Sequence, residues 1–200
     1  MSAQTPTSQR LASYEQSKPH QNPLQKVSFR SIGPTVMSGR VTDIEVNPNN
    51  TSEFYVAYAS GGVWYTTNNG QSFTPIFDKE ATHTIGDMAM DWNTGSLWVG
   101  TGEVNSSRSS YAGTGVYKTI DTGKTWQHLG LEESHHIGRI VLHPSNPSIA
   151  WVAVLGHLYT KNKERGVYKT LDGGKSWQQT LFINDSTGCV DLCIDPQSSE

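Results

Sequence analysis

The sequence predicts an all-β chain made of repeated four-stranded antiparallel units, and three observations carry that prediction. The stretch GVYKTIDTGKTWQHLG, Gly115 to Gly130, recurs 51 residues later as GVYKTLDGGKSWQQTL and stands 53 residues earlier as GVWYTTNNGQSFTPIF. A second string recurs with it: SGRVTDIEVNP, THTIGDMAMDW, SHHIGRIVLHP and STGCVDLCIDP align from Ser38, Thr82, Ser134 and Ser186, at spacings of 44, 52 and 52 residues. Between the two strings of each unit lies a third apolar run: EFYVAYAS, SLWVGTGE or IAWVAVLG. One small antiparallel sheet per period of about 50 residues is the mark of a β-propeller blade.

Taken in order, residues 1–25 are polar and without apolar period, so they are expected to form a mobile arm. The opening MSAQTPTSQRLASYEQ has neither a basic nor an apolar leader region, so no secretory signal is expected in the chain as given; a mature form with its leader removed reads the same way. SFRSIG, Ser28 to Gly33, matches TWQHLG, Thr125 to Gly130, which makes residues 26–33 a closing fourth strand with Phe29 as its aromatic. Blade 1 is expected over 38–78, with strands A (Arg40–Val46), B (Phe54–Ala59), C (Val63–Thr66) and D (Ser72–Phe77). Blade 2 follows over 82–131, blade 3 over 134–183, and 186–200 begin blade 4. The runs are short, rich in β-branched and aromatic residues, and broken by Pro, Asn and Gly, which suits strands. Helical repeats of this length would need two long amphipathic segments per unit, and the sequence has none. Three blades with an orphan strand at each end fall short of a ring of four to eight. The expectation is therefore an arc of a larger ring of seven to ten blades, which on its own associates because its open faces are apolar.

The recurrent turn has a structural reason. Between strands C and D the chain needs residues tolerant of positive φ and a short oxygen acceptor for nearby N–H groups, which Gly and Asp or Asn supply. The aromatic that follows fixes the hairpin by burial. This assigns a scaffolding role to Asn68, Gly70 and Phe73, to Asp121, Gly123 and Trp126, and to Asp172, Gly174 and Trp177. Because Asn68 serves in the first copy, the turn needs an acceptor and not a nucleophile or proton donor.

A net charge of -3 without any Lys/Arg block argues against nucleic acid or an anionic membrane as partner. No apolar run is long enough to span a bilayer. Cys189 and Cys193 lie in GCVDLCID; on a strand they stand roughly 13 Å apart, too far for a disulfide, and buried free thiols are expected. GTGEVNSS and GTGVYK are not phosphate loops, since no Lys-Ser/Thr or helix follows, so no cofactor is expected. His83, His135 and His136 lack a recurring ligand spacing, so no metal is expected either.

Antiparallel connectivity puts the A–B and C–D loops on one face of the arc and the D–A and B–C loops on the other. The second face collects the starts of the A strands (Arg40, Thr84, His136), the ends of the B strands (Glu103, His157) and the long loops EVNSSRSSYAG and HLYTKNKER. Long polar loops on a rigid ring are where binding concentrates. The candidate ligand-binding residues are Arg40, Glu103, Arg108, Tyr111, His136, Arg139 and His157. Glu103, ending a buried strand among small residues, is the catalytic candidate; its alternative is a structural pair with Arg40 or Arg139.

The string T-x-[DN]-x-G-x-[ST]-[WF] resembles the Asp-box, or bacterial neuraminidase repeat, of sialidases, sortilin-type receptor domains, xyloglucanase-type hydrolases and a plant photosystem assembly factor. From Phe29 onward, through IGPTVMSGRVTDI, ASGGVW, VGTGE, HIGRI, VAVLGH and ERGVYKTLDGGKSW, the chain resembles the sortilin N-terminal-like, or BNR-repeat "glycosyl hydrolase", proteins of bacterial envelopes. That resemblance implies a propeller, a secreted or cell-envelope location, and a protein or glycan ligand held on the loop face, with further blades completing the ring. It implies hydrolase chemistry less directly. The sialidase Phe/Tyr-Arg-Ile-Pro stretch is interrupted twice in Phe29-Arg30-Ser31-Ile32-Gly33-Pro34. The aspartate that xyloglucanase-type enzymes place two residues before a Gly-Gly falls on Ala59 here. Glycoside hydrolysis takes a pair of carboxylates; the alternative to binding is therefore a glycoside hydrolase using Glu103 and a second carboxylate from other blades.

Overall fold

The computed structural model describes residues 7–17, 39–105 and 110–195. The closing strand expected over 26–33, and Arg108, lie outside the described residues. Among the described residues twelve strands form three four-stranded antiparallel sheets, each with its strands in sequence order across the sheet. The first holds β1 (Val41–Val46), β2 (Phe54–Tyr58), β3 (Gly62–Thr66) and β4 (Thr74–Pro75). The second holds β5 (Ile85–Asp91), β6 (Ser96–Thr101), β7 (Val116–Thr119) and β8 (Gln127–His128). The third holds β9 (Ile137–Leu142), β10 (Ala150–Val154), β11 (Gly166–Thr170) and β12 (Gln178–Leu181). These are partial propeller blades, and they do not close into a ring among the described residues.

The core lies between sheets. Tyr55, Ala57 and Val63 of the first sheet meet Ile85, Leu97 and Val99 of the second in one buried cluster. Trp98, Val116 and Leu129 meet Ile137, Val152 and Val154 in the next. The first strand of each sheet carries one extra residue at the same register, Thr42, Gly86 and Gly138, opposite an unbroken second strand. Such a bulge re-aims the residue that follows it, here Asp43, Asp87 and Arg139. Asp43 Oδ2 accepts the Met88 N–H at 3.2 Å, and Asp87 Oδ2 accepts the Ile140 N–H at 2.6 Å. Neighbouring sheets are thus joined along the axis by carboxylate-to-backbone bonds.

Each C–D turn closes in the same way. The Asp121 N–H and the Gly123 N–H both donate to Thr119 Oγ1, whose hydroxyl donates to Asp121 Oδ1. Oδ1 also accepts the Thr125 N–H, and Oδ2 the Thr125 hydroxyl at 2.6 Å. Thr170, Asp172, Gly174 and Ser176 repeat every one of these bonds. In the first turn Asn68 Nδ2 donates to Ser72 Oγ at 2.9 Å, so the hydroxyl reverses its role and the turn survives without a charge. Gly123 has φ +77, and a Cβ there would stand 2.6 Å from Ile76 Cβ, so the turn also seats against the preceding blade. Trp126 Nε1 and Trp177 Nε1 donate to the carbonyls of Ile76 and Leu129, again in the preceding blade. The Thr125 hydroxyl, then its N–H, hold the Asp121 carboxyl down to about 2, and the equivalent bonds from Ser176 lower Asp172 as well. Asp172→Ala is expected to lower the melting temperature by a few degrees, whereas Asp172→Asn changes it little, because Asn already works at position 68; thermal circular dichroism decides. Equal losses would mean that the charge, and not the acceptor geometry, holds the turn.

Four features differ from the sequence-based expectation. Residues Thr7–Ser17, expected to lie in a patternless arm, form helix α1. Arg, Leu, Ala, Gln and Glu are sufficient helix formers, and the helix stops two residues before Pro19. The fourth strand of blade 1 is shorter than expected: β4 keeps only Thr74–Pro75, since Ser72 is held by the turn and Pro75 has no N–H to give. Residues 187–194 form no ladder strand, although the Cys189 N–H bonds to the Val154 carbonyl at 2.9 Å, just as Ile137 bonds to Gly102 one blade earlier. The cysteines are free but not buried, Cys193 being exposed and Cys189 partly so, because no second strand covers them among the described residues.

Candidate functional site

The face bearing the D–A and B–C loops brings together Arg40, Glu103 and His136. Glu103 follows β6 and is 1% exposed. Gly102, at φ +85, turns the chain so that the carboxylate points back across the arc. Arg40, just ahead of β1, donates Nε to Oε1 at 2.8 Å and Nη2 to Oε2, a two-pronged pair that takes both carboxylate oxygens. His136, ahead of β9, meets the Glu103 carbonyl with Nδ1 at 2.7 Å. Burial pushes the His136 pKa down, which keeps the ring neutral at ordinary pH. The arrangement can present a guanidinium edge to a ligand; the carboxylate itself is occupied.

The other candidates are distributed around this group. Tyr111 lies on the B–C loop of blade 2 with its side chain largely exposed, its carbonyl accepting the Thr84 hydroxyl at 3.2 Å. Tyr159, on the corresponding loop of blade 3, is 79% exposed. His157 turns away from Glu103: its ring stacks on His135 at 3.6 Å and its Nε2 lies 3.3 Å from Glu133 Oε2. Glu133 belongs to a short 3-10 turn, Glu132–Ser134, between blades 2 and 3. Glu133, His135 and His157 offer three ligand atoms within 4.8 Å of one another and are the group that could hold a metal among the described residues.

Arg139 does not join the face. It bridges Asp87 at 3.3 Å and Asp191 at 2.8 Å on the axial side of the sheets. There a cavity of about 580 Å³ is lined by Asp43, Glu45, Arg139 and Asp191 together with Met88 and Ile140. Burial pushes Asp87 up to about 8 and Glu45 up to about 7. For Asp87 burial outweighs the nearby guanidinium, because Arg139 is 41% exposed and shared with Asp191. Reasoning from sequence missed these carboxylates as a group. The signal was present, since Asp43, Asp87, Arg139 and Asp191 occupy one register of the four aligned A strings. For Glu133 and His157 no such signal exists, because they sit in loops of different length, 24 residues apart.

No protein-family profile matches the chain. An oligoxyloglucan-reducing end-specific xyloglucanase of Emericella nidulans is 28% identical over 124 residues, 60% of this chain and 14% of that enzyme. Among solved structures, an ancestral GH74 enzyme superposes with TM-score 0.63 at 20% identity, covering 82% of this chain and 21% of its own. A YCF48 protein solved bound to D1 peptide superposes with TM-score 0.50 at 15% identity, over 76% of this chain and 42% of its own. The propeller-like fold is thus shared with both GH74 enzymes and a peptide-bound propeller, and this chain spans less than half the length of each. No helix among the described residues is long and apolar enough to cross a membrane.

Proposed function

We propose that the chain is part of a larger propeller of seven to ten blades, secreted or held in the cell envelope, that binds a glycan or protein ligand without catalysis. The binding surface is the D–A/B–C loop face, with Arg40, Tyr111, His136 and the neighbouring loops as its contacts. The observation that carries this reading is the state of Glu103: both carboxylate oxygens are bonded to Arg40, which suits a structural carboxylate and not one free to give or take a proton. The exposed rings of Tyr111 and Tyr159 add flat apolar surface of the kind that stacks on sugar rings or peptide side chains. The C–D turns then serve as scaffold, their oxygens spent on their own backbone.

Glycoside hydrolysis remains the second reading, favoured by the similarity to the fungal xyloglucanase. It would need Glu103 released from Arg40 and a second carboxylate from blades beyond this chain. Glycan-array binding and a chromogenic glycoside panel on the full chain separate the two. The expected result is ligand capture without turnover, reduced at least tenfold by Tyr111→Ala. Turnover that disappears in Glu103→Gln would replace the binding reading with the enzymatic one, and binding indifferent to Tyr111 would move the site off this face.

A further inference from the structure

The geometry points to a divalent transition-metal site, with zinc as the fitting ion, built from Glu133, His135 and His157 where the turn between blades 2 and 3 meets the B–C loop of blade 3. Glu133 Oε2 lies 3.4 Å from His135 Nε2 and 3.3 Å from His157 Nε2. A tetrahedral ion with bonds of about 2.0–2.1 Å to nitrogen and oxygen sets its ligand atoms about 3.3 Å apart. Both edges that end on the carboxylate already have that length.

The ring nitrogens of both histidines already make polar contacts at this point. Thr7 Oγ1, which accepts from Arg10 Nη2 at 3.2 Å, also lies 3.1 Å from His135 Nε2. His157 Nδ1 lies 2.8 Å from Thr160 Oγ1, and its Nε2 meets Glu133 Oε2 at 3.3 Å. Both ring nitrogens and the carboxylate oxygen thus converge within 4.8 Å, where one cation can take the place of the protons between them.

Bonds one layer out hold the three ligands in place, as outer partners do in metal sites. The Thr7 N–H at the start of α1 donates to Glu133 Oε1 at 3.0 Å. Asn162 ties both halves together, accepting the His157 N–H at 3.0 Å while its Nδ2 donates to the Glu133 carbonyl at 3.0 Å. Leu131 and His135 bracket the turn at φ 60 and φ 53, backbone strain that surrounding contacts have to maintain. With three protein ligands a tetrahedral ion keeps a fourth position for water or a ligand group. Its effect within the fold is to clamp the blade 2–blade 3 turn to the loop that carries Tyr159.

The test is Zn²⁺ binding by the full chain, read by competition with a chromophoric chelator, and Co²⁺ substitution read by visible absorption. One Zn²⁺ per chain and an intense, tetrahedral-type Co²⁺ spectrum are expected, with affinity falling at least a hundredfold in His135→Ala and His157→Ala and at least tenfold in Glu133→Gln. His143→Ala, on the opposite face, is expected to bind as the parent does. Absence of stoichiometric Zn²⁺ on the unaltered chain overturns the site whatever the variants do. So does an equal loss in His143→Ala, or a Co²⁺ spectrum of the weak octahedral type.

Discussion

Gly102→Ala is expected to destabilise the chain by on the order of 4 kcal/mol or more, a drop in melting temperature of roughly 10 °C for a chain of this size. Two independent costs add. The residue has φ +85, a conformation that strains any side chain by about 1–3 kcal/mol. A Cβ would also stand 1.8 Å from the His135 carbonyl oxygen and 2.8 Å from the Gly113 nitrogen, both backbone atoms that have no rotamer to change. Moving His135 away breaks the bond its carbonyl accepts from the Gly113 N–H at 2.6 Å and disturbs the Ile137 N–H bond to the Gly102 carbonyl at 3.0 Å. Gly95→Ala separates the two costs, since Gly95 has φ +71 but nothing within 4 Å of its would-be Cβ. That variant should lose only the strain. Denaturant titration of both tests the point: similar losses would mean that the close approach of blades 2 and 3 contributes nothing.

The same position explains how much of the candidate site could be read from sequence. Gly102 and Glu103 stand out in GTGEVN because a strand ends there on small residues followed by a charge, and antiparallel connectivity alone fixes which loop face receives them. Arg40 and His136 follow from the repeat, each beginning an A string. These are one-dimensional signals, and the Arg40–Glu103 pair, 63 residues apart, was reachable by counting blades. Arg139, a candidate for ligand binding or for pairing with Glu103, instead meets Asp87 and Asp191; the bulge at Gly138 that precedes it is invisible in the letters. Helix α1 was missed for another reason. Its amphipathic signal is weak, and what seats it is tertiary: Thr7 on Glu133 and His135, and Arg10 on the carbonyls of Ala112 and Gly113. Glu133, His135 and His157 come from a strained turn and an irregular loop, where no periodicity constrains direction.

The axial carboxylates yield the second large effect, a pH dependence whose sign follows from burial. Asp87, raised to about 8 in the folded chain, has an ordinary value of about 3.9 when unfolded. The folded state therefore binds the proton more tightly. That stabilisation is complete below about pH 4 and is lost as pH rises toward 8, with a limiting slope of about 1.4 kcal/mol per pH unit for one proton. Glu45, raised to about 7, acts in the same direction over a narrower window. His135 and His136 act oppositely, since burial lowers both and their neutral forms are lost as pH falls. The total profile mixes the two trends, so the informative quantity is the difference between the parent chain and Asp87→Asn. Asparagine keeps an oxygen for the Ile140 N–H, cannot titrate, and leaves Arg139 its 2.8 Å bond to Asp191. Stability of the parent relative to Asp87→Asn should decline steadily between about pH 4 and 8 and be flat outside that window. Asp43, itself raised by burial, and Asp191, lowered first by the Arg139 bond, face the same cavity and are present in both proteins. A flat difference curve would mean that the Ile140 N–H and Arg139 offset burial, and that Asp87 is a fixed negative charge at neutral pH and not an exchangeable proton.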